Sequence, residues 1–124
     1  MRVREIDHIV LTVSDVERSL AWYTDLLGME GERVEQWRAG DAPFPSVRIS
    51  DSFIIDLFAG EATGRNLDHV CFVVDRDDVE GAATDGRFDV LEGPVPRWGA
   101  RGMGTSVYVS DPDGNTVELR CYGD

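Results

Sequence analysis

The chain contains two histidines, His8 and His69, and each follows an aspartate inside an otherwise apolar run: Ile6-Asp7-His8-Ile9 and Leu67-Asp68-His69-Val70. An acid also recurs late in each half, Asp56 within Ile55-Asp56-Leu57 and Glu118 within Val117-Glu118-Leu119. The matched histidines are 61 positions apart and the matched acids 62. A histidine or carboxylate in an apolar strand is costly to bury unless something pairs with it, and one divalent cation would satisfy both kinds of group. Two imidazoles and a carboxylate on one side of a cation leave neighbouring coordination positions open, as a substrate that chelates through two oxygens requires. The competing account makes His8 and His69 core histidines bonded to Asp7, Asp68 or backbone, with Glu118 on an exposed edge. The matched pairs favour the cation.

Strand parity supports convergence. Over residues 5 to 13 the alternation sets His8 opposite Ile9 and Leu11; likewise His69 opposes Val70 and Phe72, and Glu118 opposes Val117 and Leu119. If the apolar sets cover helices, the three polar side chains enter one concavity. Asp56 follows the same rule, and three roles stay open for it: a fourth ligand, an acceptor supporting an imidazole, or a base. Tyr108 shares parity with Ser106, so its ring either walls the cavity or supplies an acidic hydroxyl. Arg120, Arg48, Arg97 and Arg101 could bind a substrate carboxylate or phosphate, or pair with surface acids. Trp37 and Trp98 either line the cavity or pack.

The elements that must hold these residues repeat. Ser14-Asp15-Val16-Glu17 is a capping signature, and Val16, Leu20, Tyr23 and Leu27 follow at helical spacing up to Gly28. Residues 33 to 38, 46 to 50 and 53 to 58 read as strands, separated by the turn-rich stretch 39 to 43 and by 50 to 52. After a linker at 60 to 66 the pattern restarts with strand 67 to 74. A helix follows from about Asp77 to Asp85, weakened by Gly81, then extended segments 88 to 92 and 104 to 110. A turn at 111 to 115 folds back 116 to 122. The expected fold is α+β: two tandem β-α-β-β-β units, repeats 1–62 and 63–124 of a single domain 1–124, forming a cupped mixed sheet with helices on its outer face.

Acids number 24 against 12 basic residues, all arginine, for a net charge of −12. Such a field opposes nucleic acid and anionic membranes. No apolar run approaches membrane-spanning length and no signal-like block opens the chain, so a cytoplasmic protein is expected. Acidity without lysine suits a halophile; an ordinary acidic protein from a GC-rich genome, where Arg displaces Lys, is the bland alternative. Cys71 and Cys121 form no close-spaced motif and read as reduced thiols.

The runs Ile6 to Leu11, Tyr23 to Gly28, Asp68-His69-Val70, Glu92-Gly93-Pro94-Val95 and Asp111 to Glu118 resemble the vicinal-oxygen-chelate superfamily of glyoxalases, bleomycin-resistance proteins and extradiol dioxygenases. Gly93-Pro94-Val95 through Arg97 and Gly99 to Asn115 is most similar to its small, virulence-associated glyoxalase-domain proteins. The resemblance implies one divalent metal (Ni, Zn, Mn, Co or Fe(II)) on His8, His69 and Glu118. Its fourth ligand position falls on Asp56, where glyoxalases have Glu or Gln. It also implies a lyase-type enzyme acting on a small-molecule substrate, and a homodimer. Alternatives within the family are an Fe(II) dioxygenase, a thiol transferase, or a metal-free drug-sequestering protein. That last class has lost the ligands present here.

Overall fold

The computed structural model describes residues 1–26, 28–61, 63–110 and 116–123. The chain gathers into two compact units: Met1–His8 with His69–Asp124, and Ile9–Asp68. These boundaries differ from those of the repeat. Strand β1, Glu5–Val13, is divided between the units, so the first eight residues are grouped with the second half of the chain.

In the 9–68 unit, α1 (Val16–Ala21) begins at Asp15, whose carboxylate accepts from the Arg18 N–H at 3.0 Å. The cap is thus Asp15 rather than Ser14, and a π-helical turn, Trp22–Leu26, continues α1. Gly28 then takes a left-handed φ of 70°, as a helix-ending glycine does; Leu27 lies outside the described residues. Val16 and Leu20 pack with Val47, Ile55 and Leu57, and Ile9, Leu11, Val13 and Tyr23 lie against that cluster. The expected helix-on-strand packing is therefore present.

Residues 33–38 are not the strand expected of them. The strand there is β2, Glu30–Glu32, and Val34–Arg38 is a helix, α2. Alternation would have grouped Val34 with Gln36 and Arg38, whereas one helical turn brings Val34 and Trp37 together against the apolar cluster. Arg38 is then free to bond Glu35 at 3.1 Å and Glu17 of α1 at 2.9 Å. β3 (Ser46–Arg48) and β4 (Ile54–Ala59) complete this unit, where the strand order is β2-β3-β4-β1 with antiparallel β2–β3 and β3–β4 pairs.

In the other unit, β5 (Leu67–Val73, from His69 onward) pairs parallel with β8 (Thr116–Cys121), and β8 pairs antiparallel with β7 (Gly102–Ser110). β7 in turn pairs antiparallel with β6, Asp89–Gly99. Helix α3, Arg76–Thr84, buries Val79 and Ala82 against Val74, Val107, Val109, Leu119 and Cys121. That burial offsets the cost of Gly81 within the helix. β6 runs well past the expected 88–92. The strand passes its Gly-Pro-Val-Pro stretch through register shifts between Val90 and Val95, as an edge strand can. Gly93 is required there: its φ is +107°, and a Cβ would lie 2.5 Å from the Ser106 carbonyl. The turn expected at 111–115 lies outside the described residues.

Parallel and antiparallel pairs thus coexist beside short helices, the α+β class expected. No helix among the described residues is long and apolar enough to cross a membrane.

Candidate metal centre

His8 from β1, His69 from β5 and Glu118 from β8 meet inside one unit. Both Nε2 atoms lie 3.0 Å from Glu118 Oε2, and they are 3.3 Å from each other. Glu118 and His8 are buried, His69 nearly so. The β5–β8 register sets Glu118 opposite Cys71, two residues from His69, and β7 sets Tyr108 on its other side. Parity places Val117 and Leu119 toward α3 and leaves Glu118 on the opposite face.

The two oxygens of Glu118 have different surroundings. Oε1 accepts from the Ser106 hydroxyl at 2.6 Å and from Arg120 Nη1 at 3.3 Å. Oε2 is buried without an aligned hydrogen bond among the described residues and lies at ion-pair distance from both imidazoles. Burial alone would raise the carboxyl's pKa, but His69, His8 and Ser106 outweigh it and hold Glu118 well below the usual range. A buried carboxylate oxygen with no aligned hydrogen bond, beside two ring nitrogens, fits a divalent cation. The spacing fits too: ligand atoms about 2.1 Å from a cation and at right angles to each other lie about 3.0 Å apart.

Asp7, which sequence reasoning placed only as an acceptor for core histidines, is fully buried and touches His8 Nδ1 at 2.7 Å. It also accepts from the Ala100 N–H at 3.0 Å and from the Tyr122 hydroxyl. Burial raises its pKa, and these donors more than offset that. Asp7, His8 and Cys71 form a second close group. The acceptors of Asp7 are already taken, however, and burial pushes the Cys71 thiol well above its ordinary pKa, so this trio suits hydrogen bonding better than a cation. Both cysteines are free and buried.

The other candidates separate. Arg120, expected to meet substrate, has no exposed surface. Its guanidinium bonds the carbonyls of Trp98, Arg97 and Gly102 besides Glu118, and stacks 4.6 Å from the Tyr122 ring centroid. It braces Glu118 instead, because a buried guanidinium spends its donors on the acceptors around it. Tyr108 is half-buried, edge-on to the His69 ring at 5.5 Å and beneath Arg97 at 5.7 Å. Burial pushes its phenol up, so it stays protonated and can donate. Arg97 also bonds Glu92 at 2.8 Å. Arg101 pairs with Glu5 at 2.9 Å, the surface-pair alternative.

Asp56, Arg48 and Trp37 belong to the other unit. Asp56 is buried, accepts from Ser46 at 2.5 Å and lies 3.5 Å from Arg33. Arg48 bonds Glu32 at 2.5 Å and the Ser50 carbonyl at 2.9 Å. Trp37 packs on the apolar cluster. Arg33 was missed altogether: it adopts a left-handed φ of 56°, uncommon for a residue with a side chain.

The Glyoxalase family, described as the Glyoxalase/Bleomycin resistance protein/Dioxygenase superfamily, matches residues 5–119. Virulence protein STM3117 of Salmonella typhimurium is 32% identical over 127 residues, covering 98% of this chain and 87% of that protein. Glyoxalase domain-containing protein RDO1 of Mycosarcoma maydis is 33% identical over 131 residues, covering 100% of this chain and 72% of that one. The solved structure of methylmalonyl-CoA epimerase from Mycobacterium tuberculosis aligns with a TM-score of 0.66 at 19% identity, over 98% of this chain and 90% of that one, a likeness of fold alone. By this likeness, which runs nearly the full length of the sequence, the chain belongs to the glyoxalase/bleomycin resistance protein/dioxygenase superfamily.

Proposed function

We propose that the protein is a divalent-metal-dependent enzyme of the glyoxalase or lyase type, acting on a small substrate that presents two adjacent oxygens. The observation carrying this reading is the triangle of His8 Nε2, His69 Nε2 and Glu118 Oε2, with sides of 3.0, 3.0 and 3.3 Å. His8, His69 and Glu118 would hold the cation, one of Ni, Zn, Mn, Co or Fe(II). Bound there, it supplies Lewis-acid polarisation of the substrate's oxygens.

The chain's own residues supply the rest. Ser106 and Arg120 fix Glu118 through Oε1, leaving Oε2 to hold the cation, so Glu118 would take up a substrate proton only on releasing it. Tyr108 donates a hydrogen bond from a phenol that stays neutral, and Arg97 above it attracts a substrate anion. Asp56, held by Ser46 and Arg33, is the secondary candidate for a base. The chain is read as one functional domain, a homodimer working in the cytoplasm.

A second reading, an Fe(II) dioxygenase or a thiol transferase, is favoured by the same observation taken narrowly. Three protein ligands of the two-histidine, one-carboxylate type leave more positions open. Metal content tests the shared premise. The wild type should hold one equivalent after incubation with Ni, Zn, Mn or Fe(II), and His69→Ala should hold none; if neither binds, a metal-free binding protein takes its place. Ketoaldehyde adducts, acyl-CoA epimers and catechols offered to the loaded protein then separate the reaction classes.

A further inference from the structure

Behind the centre lies a carboxylate with no exposed surface. Around Asp7 converge His8 Nδ1 at 2.7 Å, the Ala100 N–H at 3.0 Å, the Tyr122 hydroxyl and, at 4.0 Å, Arg120 Nε. These groups come from β1 itself, from the connection between β6 and β7, and from the end of β8. Oδ1 is taken by Tyr122, and Oδ2 by Ala100 and His8, so the carboxylate plane has no room to turn. An ionised carboxylate only accepts, so its bond to His8 requires the proton on Nδ1. Nε2 is then the nitrogen left for a cation, on the side of Glu118 and His69. Asp68, which precedes His69 in the repeat, is exposed, whereas Asp7 is fully buried.

We propose that Asp7, locked by Tyr122 and Ala100, is a positioning residue that sets the tautomer and ring angle of His8 for the cation; this rests on the metal reading above. Tyr122, at the far end of the chain, thereby tunes a ligand in the first strand without touching the metal. Hydrogen-bond partners of ligating histidines act in this way, and their loss weakens metal binding by about 10- to 100-fold.

The experiment uses Zn2+ as the probe, in competition with a chelating dye on the full chain, for wild type, Asp7→Asn, Tyr122→Phe and the double variant. Tyr122→Phe removes one hydroxyl and leaves the ring on Arg120, so it carries the test even if Asp7→Asn fails to fold. The expected result is Zn2+ affinity about 10- to 100-fold weaker for Asp7→Asn and weaker in the same direction for Tyr122→Phe, with no further loss in the double variant. Nitrogen-detected NMR of the Zn2+-loaded wild type should show His8 protonated at Nδ1, with a proton signal that shifts in Tyr122→Phe. A structural role alone would lower the melting temperature without moving either readout. If Tyr122→Phe binds Zn2+ as the wild type does while His69→Ala binds none, the positioning role is wrong. If His69→Ala retains wild-type affinity, the metal reading itself fails, and the two failures are distinguishable.

Discussion

Arg120 Nη1 lies 3.3 Å from Glu118 Oε1, and neither side chain is open to solvent. Removing one partner of a buried pair leaves the other charge uncompensated, at about 3–5 kcal/mol. Arg120→Met should therefore lower unfolding free energy by that order in urea titrations. Arg120→Lys should recover little, because a single ammonium cannot serve three carbonyls and a carboxylate in a plane. Wild-type stability in Arg120→Met would refute the brace.

The guanidinium needs two glycines to fit. A Cβ on Gly99 would stand 2.4 Å from Arg120 Cζ, and one on Gly104 would stand 2.6 Å from Arg120 Nη2 and from the Cys121 carbonyl. Gly104→Ala should cost about 1–3 kcal/mol through overpacking and should reduce Zn2+ binding along with stability. Gly102→Ala serves as a control: no atom crowds that Cβ, although φ there is +98°, so its effect should be confined to backbone strain. Equal Zn2+ binding in Gly104→Ala and wild type would argue against steric coupling to Glu118.

Alkali should destabilise the fold early. Burial raises Cys71 from its ordinary 9.0 and Tyr108 and Tyr122 from 10.0, so above those values the unfolded chain gives up protons that the folded chain keeps. Stability is then full below about pH 9 and falls as pH rises, by about 1 kcal/mol per pH unit for each group titrating. Chemical unfolding at pH 8 to 11 should show this slope, and Tyr108→Phe should reduce it by one proton. An unchanged slope in Tyr108→Phe would count against the burial of that phenol.

The charge of −12 without lysine should make stability salt-dependent. Raising NaCl from 0.1 to 1 M shortens the screening length from about 10 to about 3 Å, relieving repulsion among carboxylates. The melting temperature should climb over that range, as the halophilic reading requires. A fall would mean that pairs such as Arg38–Glu17 outweigh the net repulsion.

His8, His69 and Glu118 were legible because the repeat marked them and parity assigned their faces. Parity states which side a residue faces, not what lies across from it, so Arg120 was read as a ligand for substrate when three backbone carbonyls surround it. Asp7 was underrated for the same reason: its partners Ala100 and Tyr122 are remote in sequence. The helix at Val34–Arg38 was hidden because five residues satisfy either period. The long β6 was hidden by prolines that an edge strand tolerates.

His8 and His69 stand immediately before and after the unit formed by Ile9–Asp68. A cation holding both would close a loop of about sixty residues, as a cross-link does. A cross-link of that span that persists in the unfolded chain removes conformational freedom worth about 4 kcal/mol on the scale used for disulfides; two ring nitrogens would act so only while they keep the cation, a reversible staple in a protein whose cysteines are free.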